Sequence, residues 1–325
     1  MIPNQWYAVL ESSEVPGGKP VGALRMGEKL VFWRDAQGKL GCLHDCCPHR
    51  GVSLSLGRLL GDCIECPFHG FQFDAAGACR LIPANGRSAP AARQIRVASY
   101  PTYEKDGLIF IWWGESKELP PPPGYFDNLE GMVYATSRVL WNAHYSRAIE
   151  NQLDVAHVPF VHSDTIGRGA GTLVDGPYLE WDEQDKFRLY FLNRPDDGKP
   201  PLRPDEVSRP SKPFWLEFIY PNLWQNHLGD RARVTVAFAP VDDEHTMMYL
   251  RFYQGFINVP VLGKWVARMS MPFNRRVLRQ DQRVVETQTP KLSDLKMGEK
   301  LVQADYPIVA YRQRREKLKE RQEIA

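Results

Sequence analysis

Crowded apolar runs broken by glycine and proline mark the first third of the chain, and longer strand-like runs mark the middle. "KLVFWRD" (29–35) and "GLIFIWW" (107–113) read as short strands. The second reads as fully buried, because no polar residue interrupts it. Farther on, "KFRLYFL" (186–192), "PFWLEFIY" (213–220), "RARVTVAFAP" (231–240) and "HTMMYLRFYQGF" (245–256) predict a further set of strands. Helical spacing appears elsewhere. "SRVLWNAHYSRAIENQLDVAH" (137–157) predicts a helix stopped near Pro159, and further helices are predicted over 263–288 and 309–323. Ahead of these lies "ELPPPPGY" (118–125), where Pro120–Pro123 form a stiff extended spacer without donors for any sheet. This spacer predicts two domains, residues 1–118 and 119–325.

Charge changes the picture little. Lys and Arg number 41 against 39 Asp and Glu, so no global field recommends nucleic acid or an anionic membrane as a partner. The basic-looking "YRQRREKLKERQ" (311–322) reads as a solvated helix of mixed charge. The longest apolar run is too short to span a bilayer. "MIPNQWYAVL" lacks a basic region followed by a long apolar stretch, so no signal peptide and a cytoplasmic location are expected. No glycine-rich dinucleotide fingerprint follows a predicted strand, so the chain is not expected to collect electrons from NAD(P)H by itself.

Candidate chemistry is concentrated early. Cys47-Pro48-His49 is followed, after sixteen residues, by Cys66-Pro67-Phe68-His69. Two thiolates for one iron and two neutral imidazoles for the other suit a Rieske [2Fe–2S] cluster. A Cys2His2 zinc site uses the same donors, but a zinc finger pairs its cysteines and then its histidines. Here they alternate. Gly51 and Gly70 follow the ligand loops, where unusual backbone angles are needed. Cys42-Leu43-His44 is a second Cys-x-His, at a gap of twenty-one residues from Cys66. Cys42, Cys46, Cys63 and Cys79 read as packed free thiols.

The stretch "CCPHRGVSLSLGRLLGDCIECPFHGFQFDAAGAC" (46–79) resembles the Rieske domain of the ring-hydroxylating oxygenase family, large terminal subunit. Respiratory Rieske proteins carry a disulfide-forming cysteine where this chain has Val52 and where it has Phe68. The resemblance therefore implies the oxygenase type, with Cys47, His49, Cys66 and His69 as cluster ligands. A second constellation comprises Glu150, Asn151, Asp154, His157 and His162. Two imidazoles and a carboxylate on one face of Fe(II) leave positions open for O2 and substrate. His157 and His162 point apart on a straight helix, so Pro159 is expected to turn the chain between them. Asp154, three residues before His157, is expected on the same helical face. "ENQLDVAHVPFVH" matches the family's Asn-x-x-Asp-x-x-His-x-x-x-x-His pattern, and "RQDQRVVETQTPKL" (279–292) resembles the segment that supplies the third ligand. That nominates Asp281, with Glu286 and Asp294 as competitors.

The resemblance implies an α+β protein, with an N-terminal antiparallel β Rieske domain and a C-terminal helix-grip domain of antiparallel sheet around a long helix. It implies the terminal oxygenase of a multicomponent system, a homotrimer fed by a ferredoxin or an NAD(P)H-dependent reductase. A [2Fe–2S] cluster would pass electrons to a mononuclear Fe(II) that activates O2 for aromatic hydrocarbon catabolism or a related oxidation. Hydroxylation or oxidative demethylation of an aromatic or other ring-containing substrate is favoured over cis-dihydroxylation. The alternatives are a Rieske electron carrier and a zinc-stapled ligand-binding protein. By the same resemblance Asn151 and Asp154 are catalytic, Asp154 bridging His69 of one subunit to His157 of the next. Phe218, Tyr220, Asn226, Phe238 and Phe252 are expected to line an apolar substrate cavity, and Arg50, Arg58 and Arg80 to meet an acidic redox partner.

Overall fold

The computed structural model describes residues 1–89, 94–115, 119–182, 186–208, 214–257 and 259–323; residue 118, the expected end of the first domain, lies outside them. Backbone contacts divide the chain into one unit built mainly of Pro3–Tyr125 and another built mainly of Phe126–Ala239 with Asp243–Ala325.

Among the described residues the first unit holds ten short strands: β1 (Gln5–Glu11), β2 (Val21–Arg25), β3 (Glu28–Arg34), β4 (Leu40–His44), β5 (Arg58–Leu60), β6 (Cys63–Glu65), β7 (Gln72–Phe73), β8 (Cys79–Leu81), β9 (Thr102–Lys105) and β10 (Leu108–Trp113). They form antiparallel sheets in the orders β1-β10-β9, β2-β3-β4 and β5-β6-β7-β8. The uninterrupted apolar run is β10, central in its sheet, with Leu108–Trp112 buried. A core of Val31, Trp33, Leu43, Ile64 and Phe73 takes in two cysteines, Cys47 and Cys66, from the loops that follow β4 and β6.

The second unit opens with β11 (Val133–Trp141), α1 (Tyr145–Leu153) and α2 (Val158–Val161). Six strands follow: β12 (Leu173–Trp181), β13 (Lys186–Arg194), β14 (Phe214–Ile219), β15 (Leu223–Leu228), β16 (Ala232–Pro240) and β17 (Thr246–Gln254). The chain ends with α3 (Pro260–Val285) and α4 (Tyr306–Glu323). The sheet runs β11-β17-β16-β15-β14-β13-β12, so β12 to β17 meander and β11 joins the last strand. The long helix α3 packs on β11 and β17, and α1 touches both α3 and α4. This is the α+β, helix-grip arrangement expected. No helix among the described residues is long and apolar enough to cross a membrane.

One element departs from the sequence reading. Residues 137–141, expected as the start of a helix, finish β11, whose nine residues each pair with β17. Ladder hydrogen bonds along the whole strand outweigh local helical spacing. The helix starts only at Tyr145, where His144 caps it by accepting the Ser146 amide.

Candidate functional site

In the first unit two six-residue loops close alike. The Cys47 amide donates to the Val52 carbonyl at 2.8 Å and the Gly51 amide to the Cys47 carbonyl at 2.8 Å. The Cys66 amide donates to Phe71 at 2.8 Å and Gly70 to Cys66 at 3.0 Å. Gly51 and Gly70 have φ of 74° and 73°, where a side chain is strained. At Gly70 a Cβ would also stand 2.9 Å from Pro83 Cγ. The loops differ in one respect. His49 stands two residues after its cysteine and His69 three, so Phe68 occupies the place that His49 has in the first loop.

Cys47 and Cys66 are each 2% exposed, whereas His49 and His69 are exposed. The two imidazole centroids lie 4.6 Å apart, and His49 stacks on Phe71 at 4.7 Å. The Cys47 thiol faces that of Cys66. Burial pushes Cys47 up to about 11 and Cys66 adds to the effect, opposed by the His49 and Arg50 amides aimed at the sulfur. A sulfur placed as is that of Cys47 ionises readily only against metal charge. Two sulfurs in the core and two imidazoles at the surface fit the donor set of a Rieske [2Fe–2S] cluster. Cys42 and His44 instead lie within β4, paired with Phe32 and Leu30. All six cysteines are free. Of the three arginines near the loops, Arg58 pairs with Glu65 at 2.7 Å and Arg80 with Asp74 at 2.5 Å, while Arg50 lies over the Phe68 ring.

In the second unit α1 stops at Asp154 rather than near Pro159. Asp154 is extended (φ −71°, ψ 126°), and its amide donates to the Glu150 carbonyl at 2.9 Å. Its Oδ1 accepts the amides of Ala156 at 2.7 Å and His157 at 3.2 Å, a side-chain turn that ends one helix and starts the next. Asp154 and His157 therefore share no helical face. His157 and His162 instead cap the two ends of the single-turn α2, with Pro159 inside it, and their ring centroids lie 5.2 Å apart.

From α3, Asp281 reaches both. Its Oδ1 lies 3.0 Å from His162 Nε2 and 3.4 Å from His157 Nε2, and one ligand atom from each of the three residues lies within 4.8 Å of the others. Asn151 Nδ2 and Gln152 Nε2 each lie 3.4 Å from the Asp281 carboxylate. Gln280 Oε1 is 3.0 Å from His162 Nδ1 and also accepts from Thr165 Oγ1 at 2.7 Å. An oxygen acceptor there holds the proton on Nδ1 and leaves Nε2 free as a donor to a metal. Asp154 Oδ1 is 3.8 Å from His157 Nδ1, an electrostatic rather than a hydrogen-bonded distance. Burial pulls the His157 imidazolium down, but Asp154 and Asp281 outweigh it and lift it to about 9. Burial raises Asp281, and the two histidines hold it below the usual carboxylate range. Two imidazoles around a buried carboxylate that demands positive charge fit a divalent ion.

The competing carboxylates are occupied elsewhere. Glu286 Oε1 accepts from the Asn142 amide at 2.8 Å and from Gln282 Nε2 at 2.7 Å, while Asp294 Oδ1 takes the Leu295 amide at 2.9 Å. Gln152 and Gln280 are the site residues that sequence reasoning did not single out. The only signal for Gln280 was its place beside Asp281 in the quoted motif.

These residues open on a cavity of about 230 Å³, walled by α3 and by one face of β14–β17. Of the expected lining residues Asn226 is there, together with Trp224, Leu228, Val234 and Val236. Phe218, Tyr220, Phe238 and Phe252 are not. The Phe218 and Tyr220 rings pack on Tyr311 of α4 at 5.5 and 5.7 Å, so α4 covers their part of the sheet. Phe238 is fully buried. Strand alternation shows a face but not how far along it a helix lies.

Residues 5–101 match the family model of the Rieske [2Fe-2S] domain, and residues 141–321 that of the vanillate O-demethylase oxygenase C-terminal domain. The 3-chlorobenzoate-3,4-dioxygenase oxygenase subunit of Comamonas testosteroni is 31% identical over 78% of this chain and 60% of its own length. Methylxanthine N3-demethylase NdmB of Pseudomonas putida is 29% identical over 88% of this chain and 81% of its own. The matched region spans as little as 25% of another curated relative. Among solved structures, Pseudomonas putida CBB5 NdmB superimposes with a TM-score of 0.79 at 25% identity, covering 98% of this chain and 91% of that one.

Proposed function

Because the chain belongs to the Rieske oxygenases, with a catalytic domain of the vanillate O-demethylase type, we propose that it is the terminal component of a multicomponent system. It hydroxylates or oxidatively demethylates a ring-containing substrate. The electrons come from a separate ferredoxin or NAD(P)H-dependent reductase. One turnover takes R–H, O2, two electrons and two protons to R–OH and water. Where the carbon is a methyl on oxygen or nitrogen, the hydroxylated product breaks to formaldehyde and the freed O–H or N–H.

Cys47, Cys66, His49 and His69 hold the [2Fe–2S] cluster, and His157, His162 and Asp281 the mononuclear iron. When bound, the cluster supplies one-electron transfer and the iron supplies O2 activation. The chain's own residues do the rest. Asn151 and Gln152 orient the Asp281 carboxylate, Gln280 sets the His162 tautomer, and Asp154 sets the direction of α2 and the charge behind His157. The apolar wall excludes water from the reacting carbon. The carrying observation is the two-histidine, one-carboxylate set opening on an apolar cavity. An electron carrier has no use for it. The free cysteines fit a reducing cytoplasm, where we place the enzyme, and we take the assembly to be a homotrimer.

Metal and acid-labile sulfide analysis tests the reading. About three irons and two sulfides per chain are expected, against two and two for a carrier and zinc without sulfide for a zinc-stapled protein. With a surrogate reductase and a panel of methoxylated and N-methylated rings, oxygen uptake should match product, with formaldehyde released. A cis-diol carrying both oxygen atoms would instead establish dihydroxylation.

A further inference from the structure

The oxygenase reading leaves the substrate open, and two side chains of the cavity narrow it. Away from the residues gathered at the metal set, two carboxamides interrupt the apolar lining, Asn226 on β15 and Asn274 on α3. Asn274 is held in one orientation. Its Nδ2 donates to the Ser270 carbonyl one turn back at 2.9 Å. A carbonyl can only accept, so the nitrogen is the bonded end and Oδ1 is turned away from it. Oδ1 has no hydrogen-bond partner among the described residues, and it is not sealed as the Trp224 indole nitrogen is. Asn274 precedes Asp281 by seven residues, about two turns, so both stand on one face of α3, about 10 Å apart along its axis. The helix therefore shows the cavity an acceptor two turns from the carboxylate that the histidines face.

Asn226 answers from the sheet. It pairs with Leu216 on β14 and Val234 on β16, and both of these also line the cavity, so its side chain stands within the apolar wall. It is half-buried and makes no hydrogen bond among the described residues. With no internal partner to fix it, Asn226 can turn its Nδ2 toward a ligand. An amide left unpaired in an apolar wall is costly once water is displaced, and a substrate that pairs with it avoids that cost.

Resting on the oxygenase reading, we propose that these two carboxamides select the substrate, a ring compound that carries an uncharged amide. Asn274 Oδ1 accepts the substrate N–H, and Asn226 Nδ2 donates to the substrate carbonyl. Gripped two turns away along α3, the ring presents its other end to His157, His162 and Asp281.

The test is calorimetric titration of the iron-loaded protein, without reductant, with 4-methoxybenzamide, methyl 4-methoxybenzoate and 4-methylanisole. The ester keeps the carbonyl but lacks the N–H, and the methylanisole lacks both. The amide should bind about five- to ten-fold tighter than the ester, a comparison that needs no variant. Asn274→Leu should bring the amide to the level of the ester and leave the ester within about two-fold. Asn226→Leu should weaken amide and ester alike, by about three- to ten-fold, and leave the methylanisole within about two-fold. An amide that binds no tighter than the ester, or an equal loss for both in Asn274→Leu, overturns the proposal. Binding needs no turnover, so the two readings fail separately. The expected binding order with no oxygen uptake from any reductant would count against the oxygenase reading alone, and ring oxygenation with no preference for the amide against the clamp alone.

Discussion

Removing Asp281 should leave a distinct signature, because it is 3% exposed and is the carboxylate that two imidazoles face. Asp281→Ala should keep the visible spectrum of the cluster, lose about one iron of three, and lose oxygenation. Glu286→Ala and Asp294→Ala should keep the full complement, as iron and sulfide analysis of the three variants would show. If Asp281→Ala keeps three irons, the ligand is another residue. The cysteine and histidine candidates were legible in the sequence because each pair sits in one six-residue loop closed by its own backbone. Asp281 was nominated only by resemblance. Glu286 has the same chemistry at the C-cap of the same helix, and what separates the two is direction, which composition does not encode. Gln152 went unnoticed because a glutamine beside an asparagine carries no pattern.

The helices that carry these residues are held by charge as well as packing. Arg312 on α4 grips Glu150 on α1 through Nε at 2.7 Å and Nη2 at 2.8 Å, both residues buried, and the buried Arg147 reaches the exposed Glu299 at 2.7 Å. Arg312→Ala leaves Glu150 buried without this partner and should cost about 3–5 kcal/mol, read as a lower denaturant midpoint. Arg312→Lys should restore only part of it, since the bidentate grip is lost. At the other end of α1, burial pulls His144 down to about 3, helped by Arg315, Lys319 and Arg147. Between about 6.5 and 3 the unfolded chain then binds the proton that the folded chain refuses, so stability is full above 6.5 and falls as pH drops toward 3. One such group contributes up to about 1.4 kcal/mol per pH unit in that window. Unfolding midpoints at pH 7.5 and 5.0 should converge more in His144→Asn, which can still cap α1; an unchanged pH slope would remove His144 as the cause. The start of α1 was misread because residues 137–141 satisfy helical spacing while their partner strand lies more than a hundred residues away.

For the whole molecule, the proposed homotrimer predicts that Asp154, whose side chain is 28% exposed, links His69 of one subunit to His157 of the next. Asp154→Asn should collapse single-turnover electron transfer between the centres while both metals stay bound and sedimentation stays trimeric. A fully active monomer would exclude the arrangement. Arg58 and Arg80 are already paired, which leaves Arg50 as the arginine by the ligand loops with no carboxylate against it among the described residues. Strands and helices were legible from patterning and the fold class through the family resemblance, but the cavity was not, since the reach of α4 over the sheet is a long-range outcome. The division of the cavity wall has a consequence for how such an enzyme diversifies. Val234 and Val236 lie on β16, which holds no candidate ligand, whereas Val277 and Leu278 share a helix with Asp281. Changes on the strands can drift or be randomised nearly independently of the metal centre, while changes on the helix are epistatic with it. Laboratory evolution toward a new substrate should therefore find its early, additive gains on the sheet and its later, conditional ones on the helix.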